Sequence, residues 1–124
     1  MKEIEESAKI KIELKCRPKN ISELIGMIFW KESELVEYVL AFLQYVKEWE
    51  MRGSPYKVTE WQNYCIRKGI SQSSYHNILR RLRRVGMIKK IYNKALKVHE
   101  LKISRDFSDY LFAMEKIWDD FCKS

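Results

Sequence analysis

From residue 33 onward, apolar positions recur every three to four residues, the spacing of helices that bury one face. Leu35, Val39, Phe42, Val46 and Trp49 form the first stripe, opened by Ser33 and stopped by Gly53. Val36, Leu40 and Leu43 widen it, as in a core helix packed on more than one side. Tyr75, Ile78, Leu79, Leu82 and Val85 form the second, with Ser71 as its cap and Gly86 placed to end it in a left-handed conformation. Between the two, Ser54-Pro55 turns the chain into a brief extended piece, Tyr56–Val58. Thr59 and Gln62 then make a T-x-x-Q capping pattern at the start of a helix that ends at Gly69. The last stripe, Phe107, Tyr110, Leu111, Met114, Ile117, Trp118 and Phe121, is uninterrupted; Ser104 caps it, and Asp106 lies near its positive end.

Elsewhere the period is two. Ala8–Lys15 alternates Ile10, Ile12 and Leu14 with Lys9, Lys11, Glu13 and Lys15, the pattern of a half-buried strand that must add to a sheet edge. Arg17-Pro18 ends it, and Asn20 caps a short helix from Ile21 to about Trp30. Met87–Tyr92 and Leu96–Ile103 read as two strands joined through Asn93-Lys94. The alternation slips near Glu100, which calls for a bulge or a shorter strand.

Charge changes this picture more than composition does. The net charge is +7, but its distribution is uneven. Between Ser71 and Ile103 stand nine lysines and arginines against one acid, Glu100, a local charge of +8; the other 91 residues sum to −1. Segregated positive charge is the footprint of a polyanion partner rather than a device for solubility. At roughly 100° per residue, Ser73, Asn77, Arg80 and Arg84 lie opposite the buried stripe of the second helix, with His76, Arg81 and Arg83 flanking. One face is built to pack and the other to present donors and positive charge. A solvated surface is the plainer reading of such a face, but single-sign clustering this dense is rarely that. The hairpin lysines are weaker evidence, since lysine also protects strand edges.

The middle of the chain thus reads helix, short strand, helix, turn, helix, strand, loop, strand. With Thr59–Gly69, the turn at Gly69-Ile70 and the run SSYHNILRRLRRVGMIKKI, it resembles the winged helix-turn-helix family, as found in archaeal and bacterial transcriptional regulators. The resemblance implies an α+β, mostly helical fold: an N-terminal arm at 1–32, a DNA-binding domain at 33–103 and a C-terminal helix at 104–124. It makes Glu60–Lys68 the supporting helix, Gln72–Val85 the recognition helix and Tyr92 to about His99 the wing. In the usual docking the N-terminal part of the recognition helix lies nearest the bases, so Ser71, Gln72, Ser73, His76 and Asn77 reach base edges. Arg80, Arg81, Arg83 and Arg84 reach bases or flanking phosphates, and Lys89, Lys90, Asn93, Lys94 and Lys97 lie along the backbone and minor groove. Asn and Gln suit adenine and Arg suits guanine.

A winged core already supplies partners for its central helix, so the last stripe, Phe107 to Phe121, favours a homodimer interface over a cover for its own domain. The leading expectation is therefore a dimeric, sequence-specific binder of double-stranded DNA. The rival is a winged-helix module that docks onto protein within a transcription or replication assembly. Non-specific or RNA binding is a third reading. Cys16, Cys65 and Cys122 are odd in number and in no metal-ligand spacing, as expected of a reducing compartment. The charged N-terminus is no signal peptide, and the apolar helix near Leu35–Trp49 is interrupted by Glu37, Gln44, Lys47 and Glu48, so a cytoplasmic protein off the membrane is expected. No nucleophile motif, phosphate loop or paired-carboxylate constellation stands out, so neither catalysis nor a cofactor is expected. High Lys, Glu and Ile usage suits a thermophile.

Overall fold

Asn20 does what its side chain allows: Oδ1 accepts the Glu23 N–H at 2.9 Å and starts helix α1, Ile21–Ile28. The computed structural model describes residues 10, 12–29 and 33–124. Expectations that fall on 1–9, 11 and 30–32, including the start of the N-terminal alternation and the helix end at Trp30, lie outside the described residues. A short 3-10 turn, Ser33–Leu35, leads straight into α2, Val36–Met51. Val39, Phe42 and Val46 of α2 are buried, and Val36, Leu40, Leu43 and Trp49 are half-buried around them, as the widened stripe requires.

The strand expected at Ala8–Lys15 does not form among its described residues. Leu14–Cys16 is a single 3-10 turn, Ile12 and Leu14 are exposed, and Ile10 alone packs against the core. A period of two supplies no ladder partner by itself, and none of the described residues of this stretch pairs with a strand.

The sheet forms instead from strand β1, Tyr56–Lys57, and the hairpin of β2, Ile88–Asn93, with β3, Val98–Ile103. Its order is β1-β3-β2, all antiparallel. Pairing runs without a break from Ile88↔Ile103 to Asn93↔Val98, so the slip at Glu100 reflects a strand that starts late rather than a bulge. Glu100 is buried, and its Oε2 accepts from Asn93 Nδ2 at 3.1 Å. The Ile103 N–H donates to Glu50 Oε1 at 3.0 Å, which ties β3 to the end of α2.

Helix α3, Trp61–Lys68, begins one residue later than its capping pattern predicts. Val58–Glu60 take a 3-10 turn, no side chain caps α3, and Glu60 Oε2 accepts from Asn63 Nδ2 at 2.8 Å instead. Gly69, at φ +66°, ends α3. Helix α4, Gln72–Arg84, follows, with Ser71 Oγ accepting the Ser74 N–H at 3.1 Å. Gly86 closes it at φ +82°: the Met87 N–H donates to Leu82 O at 3.0 Å and the Gly86 N–H to Arg83 O at 3.2 Å, two bonds that satisfy otherwise orphaned carbonyls.

The core gathers on Phe42 of α2. Its ring meets Tyr56 of β1, Tyr64 of α3 and Tyr75 of α4 edge-on, with centroids 5.7, 5.3 and 5.6 Å away. Helix α5, Asp106–Lys123, leaves this body. Ser104 Oγ accepts the Asp106 N–H at 3.1 Å and holds the entry rather than forming the cap itself. Phe107, expected in a dimer interface, is buried in its own domain; every residue from Ser108 on is exposed. Among the described residues, no helix is long and apolar enough to cross a membrane.

Candidate nucleic-acid interface

Helix α4 is pinned along its apolar stripe, and this fixes which way its polar face looks. Tyr75, Ile78 and Leu82 are buried, and Leu79 and Val85 pack beside them. The deepest tie is polar: the Tyr75 and Tyr56 hydroxyls hydrogen-bond at 2.6 Å inside the core, joining α4 to β1. Burial pushes the Tyr75 phenol up to about 12, although the bond to Tyr56 pulls the other way. Burial, reinforced by the same bond, holds Tyr56 far above the ordinary range. Both hydroxyls therefore stay neutral, and the pair acts as a fixed strut.

On the opposite face Gln72, Ser73, His76, Arg80 and Arg83 are exposed, and Ser71 stands at the exposed N-terminal end. Asn77 is half-buried, and its Oδ1 accepts from Arg80 Nη2 at 3.4 Å, which steers that guanidinium along the helix. His76 leans on Trp61 of α3, with ring centroids 5.4 Å apart. Nothing in the sequence assigned Trp61 a role, because helical spacing in α3 cannot reveal a neighbour on α4.

The hairpin lies beside this face. Lys89 and Lys90 are exposed on β2, and Lys94 and Lys97 are exposed in the turn that follows it. A cleft of about 640 Å³ runs between α4 and the sheet, and it brings Arg80, Arg83, Arg84 and Lys90 together with Trp61 and His76. Four cations from two elements thus border one concave surface. In water such charges repel, and a polyanion relieves that repulsion.

Two assigned residues are employed elsewhere. Arg81 is half-buried, and its guanidinium sits 5.0 Å from the centroid of the Phe29 ring beside α1, a cation–π contact on the edge of the core. Asn93 is spent inside the hairpin: Nδ2 donates to Glu100, and Oδ1 accepts the Leu96 N–H at 3.0 Å. That turn puts Lys97 at φ +57°, an uncommon conformation for a non-glycine residue. Asn93 therefore shapes the loop that presents Lys94 and Lys97 rather than meeting a ligand.

A model described as an archaeal family matches residues 18–122. The chain belongs to that archaeal family. No curated protein and no solved structure matches the chain. The matched stretch holds α1, α4, the hairpin and almost all of α5, so in this archaeal family member the cationic face and the exposed terminal helix belong to one shared unit.

Proposed function

We propose that the chain is a winged-helix protein that binds double-stranded DNA sequence-specifically, as a dimer, and serves as a cytoplasmic transcriptional regulator. One observation carries this reading: a buried stripe and a tyrosine strut fix α4 so that Arg80, Arg83 and Arg84 meet Lys90 of the hairpin along one cationic cleft. In this reading α4 enters the major groove, with Gln72, Ser73 and His76 nearest the base edges and Asn77 behind them. Arg80 and Arg83 follow toward guanine or the flanking phosphates. Lys89, Lys90, Lys94 and Lys97 take the backbone and minor groove, where they add affinity without reading sequence. Asn93 and Arg81 act through the structure, the first by shaping the hairpin turn and the second by bracing α4 against Phe29.

The test is binding of labelled random-sequence duplex by fluorescence anisotropy at low and high salt. Binding that weakens steeply with salt is expected, because each neutralised phosphate releases counterions. Reversing Arg80 and Arg83 to Glu should abolish it while leaving the circular dichroism unchanged, since both side chains are exposed. No duplex binding at low salt would refute the reading. Unchanged cellular function with both charges reversed would favour a protein-docking winged helix instead.

A further inference from the structure

Helix α5 is too apolar for the company it keeps. Its 18 residues span about 27 Å, yet among the described residues it is buried only in its first turn, where the Phe107 N–H donates to Gly86 O at 2.9 Å and the Phe107 ring enters the core. Beyond that turn Tyr110, Ile117, Trp118 and Phe121 are each 65 to 72 % exposed. With Leu111 and Met114 they share one face, and Trp118 stacks on Phe121 with centroids 5.5 Å apart. Aromatic side chains bury 150–250 Å² each, so this face offers on the order of 800 Å² per copy, the size of one side of a standard protein interface. A lone helix of this length is also marginal in water.

The face has an internal symmetry that selects its partner. Leu111 and Ile117 lie three residues either side of Met114, Tyr110 and Trp118 four, and Phe107 and Phe121 seven. A twofold antiparallel pairing centred on Met114 sets Leu111 against Ile117 and Tyr110 against Trp118 of the second copy, and brings its Phe121 over the foot of α5, where Phe107 is already buried. An isologous dimer requires just such self-complementarity.

The body of the domain supplies a second half to the contact. A groove of about 890 Å³ lies at the foot of α5, floored by Ile10, Leu24 and Met27 and rimmed by Arg83 and Arg84. In the antiparallel arrangement the far end of the partner helix arrives there, bringing Trp118 and Phe121 for the apolar floor. A parallel pairing would set the far ends of the two helices against each other and leave the groove uncovered. It would also align two helix dipoles that the antiparallel form opposes.

We propose that α5 pairs antiparallel with α5 of a second copy about a twofold axis at Met114, and that the partner's Trp118 and Phe121 fill the groove beneath it. The inference rests on the dimeric part of the reading above and not on the DNA contacts. Because the groove also touches Val85 and Gly86 at the end of α4, the pairing sets the separation of the two α4 helices. The two Phe107 positions lie about 21 Å apart along the paired axis.

Disulfide trapping in the absence of DNA tests the geometry. In a background with Cys16→Ser and Cys122→Ser, Met114→Cys should be oxidised by copper phenanthroline to a covalent dimer in high yield, because the two sulfurs sit at the axis. With native Cys122 as the only added thiol in the same background, no dimer should be trapped, because the axis holds the two copies of this exposed residue about 24 Å apart. Light scattering of the unmodified protein should give the dimer mass, and Trp118→Glu should give the monomer mass with helical circular dichroism retained up to α5. Trapping through Cys122 as well as through Met114→Cys would replace the pairing with a parallel one, and a monomeric unmodified protein, or no trapping through Met114→Cys, would overturn it altogether. Because no nucleic acid is present, failure here is separate from failure of DNA binding.

Discussion

Gly86 is the joint of the molecule, and replacing it separates two costs that usually arrive together. It ends α4, starts the hairpin and accepts the first hydrogen bond of α5. Gly69 ends α3 with a similar backbone, φ +66° against φ +82°. A Cβ added at Gly69 meets nothing within 4 Å, whereas one added at Gly86 would lie 2.9 Å from both Asp106 Cβ and Phe107 N and 3.1 Å from Asp106 C. Alanine in the left-handed region costs about 1–2 kcal/mol, and the stiffer unfolded chain returns about 0.4–1 kcal/mol. Gly69→Ala should therefore destabilise by roughly 1 kcal/mol. Gly86→Ala adds a clash with backbone, which cannot swing away as a side chain can, so the start of α5 must shift. Overpacking of this kind costs about 1–3 kcal/mol, and loosening the bond from Phe107 N–H to Gly86 O costs about 1 kcal/mol more. The expected total is about 3–5 kcal/mol. Urea unfolding of both variants and the parent, followed by circular dichroism at one protein concentration, measures the gap. Equal destabilisation at the two sites would refute the placement of α5 against Gly86.

Alkali should unfold the protein through its tyrosine core. Tyr56, Tyr64 and Tyr75 are all held above the ordinary phenol value, chiefly by burial. The unfolded chain thus releases those protons first, so stability is full below about pH 10 and falls as pH rises beyond it. Absorbance should show the three buried tyrosines ionising only together with loss of helix; their ionisation with helix intact would contradict this. On DNA, Lys94→Ala should lower the slope of log affinity against log salt by about one unit on every sequence. Gln72→Ala should instead change base preference by about 1–3 kcal/mol at one position. Equal effects of the two on all sequences would mean that α4 does not read bases.

Helices were the legible part of the chain. The stripe from Tyr75 to Val85, its serine cap and its glycine stop locate α4 to within a residue, because each signal has a local cause. The charge face was legible for the same reason, since helical angles follow from spacing alone. Contacts between elements were not. Arg81 sits on the flank of α4 at an angle that suits DNA, and only the position of Phe29 explains why it faces the core edge instead. Phe107 has the spacing of a dimer residue, but the close approach of α5 to Gly86 draws it inward. The Ala8–Lys15 alternation gave no sign that the sheet would form from β1, β3 and β2 without it, and the T-x-x-Q pattern gave no sign of the 3-10 turn that delays α3.

Selection of bound sequences from a random duplex pool tests the central claim most directly. Two α4 helices related by a twofold axis should enrich a palindrome whose half-sites lie about one helical turn, 10–10.5 base pairs, apart. A pool that shows no enrichment over its input, or that is bound no better than single strands, would contradict it.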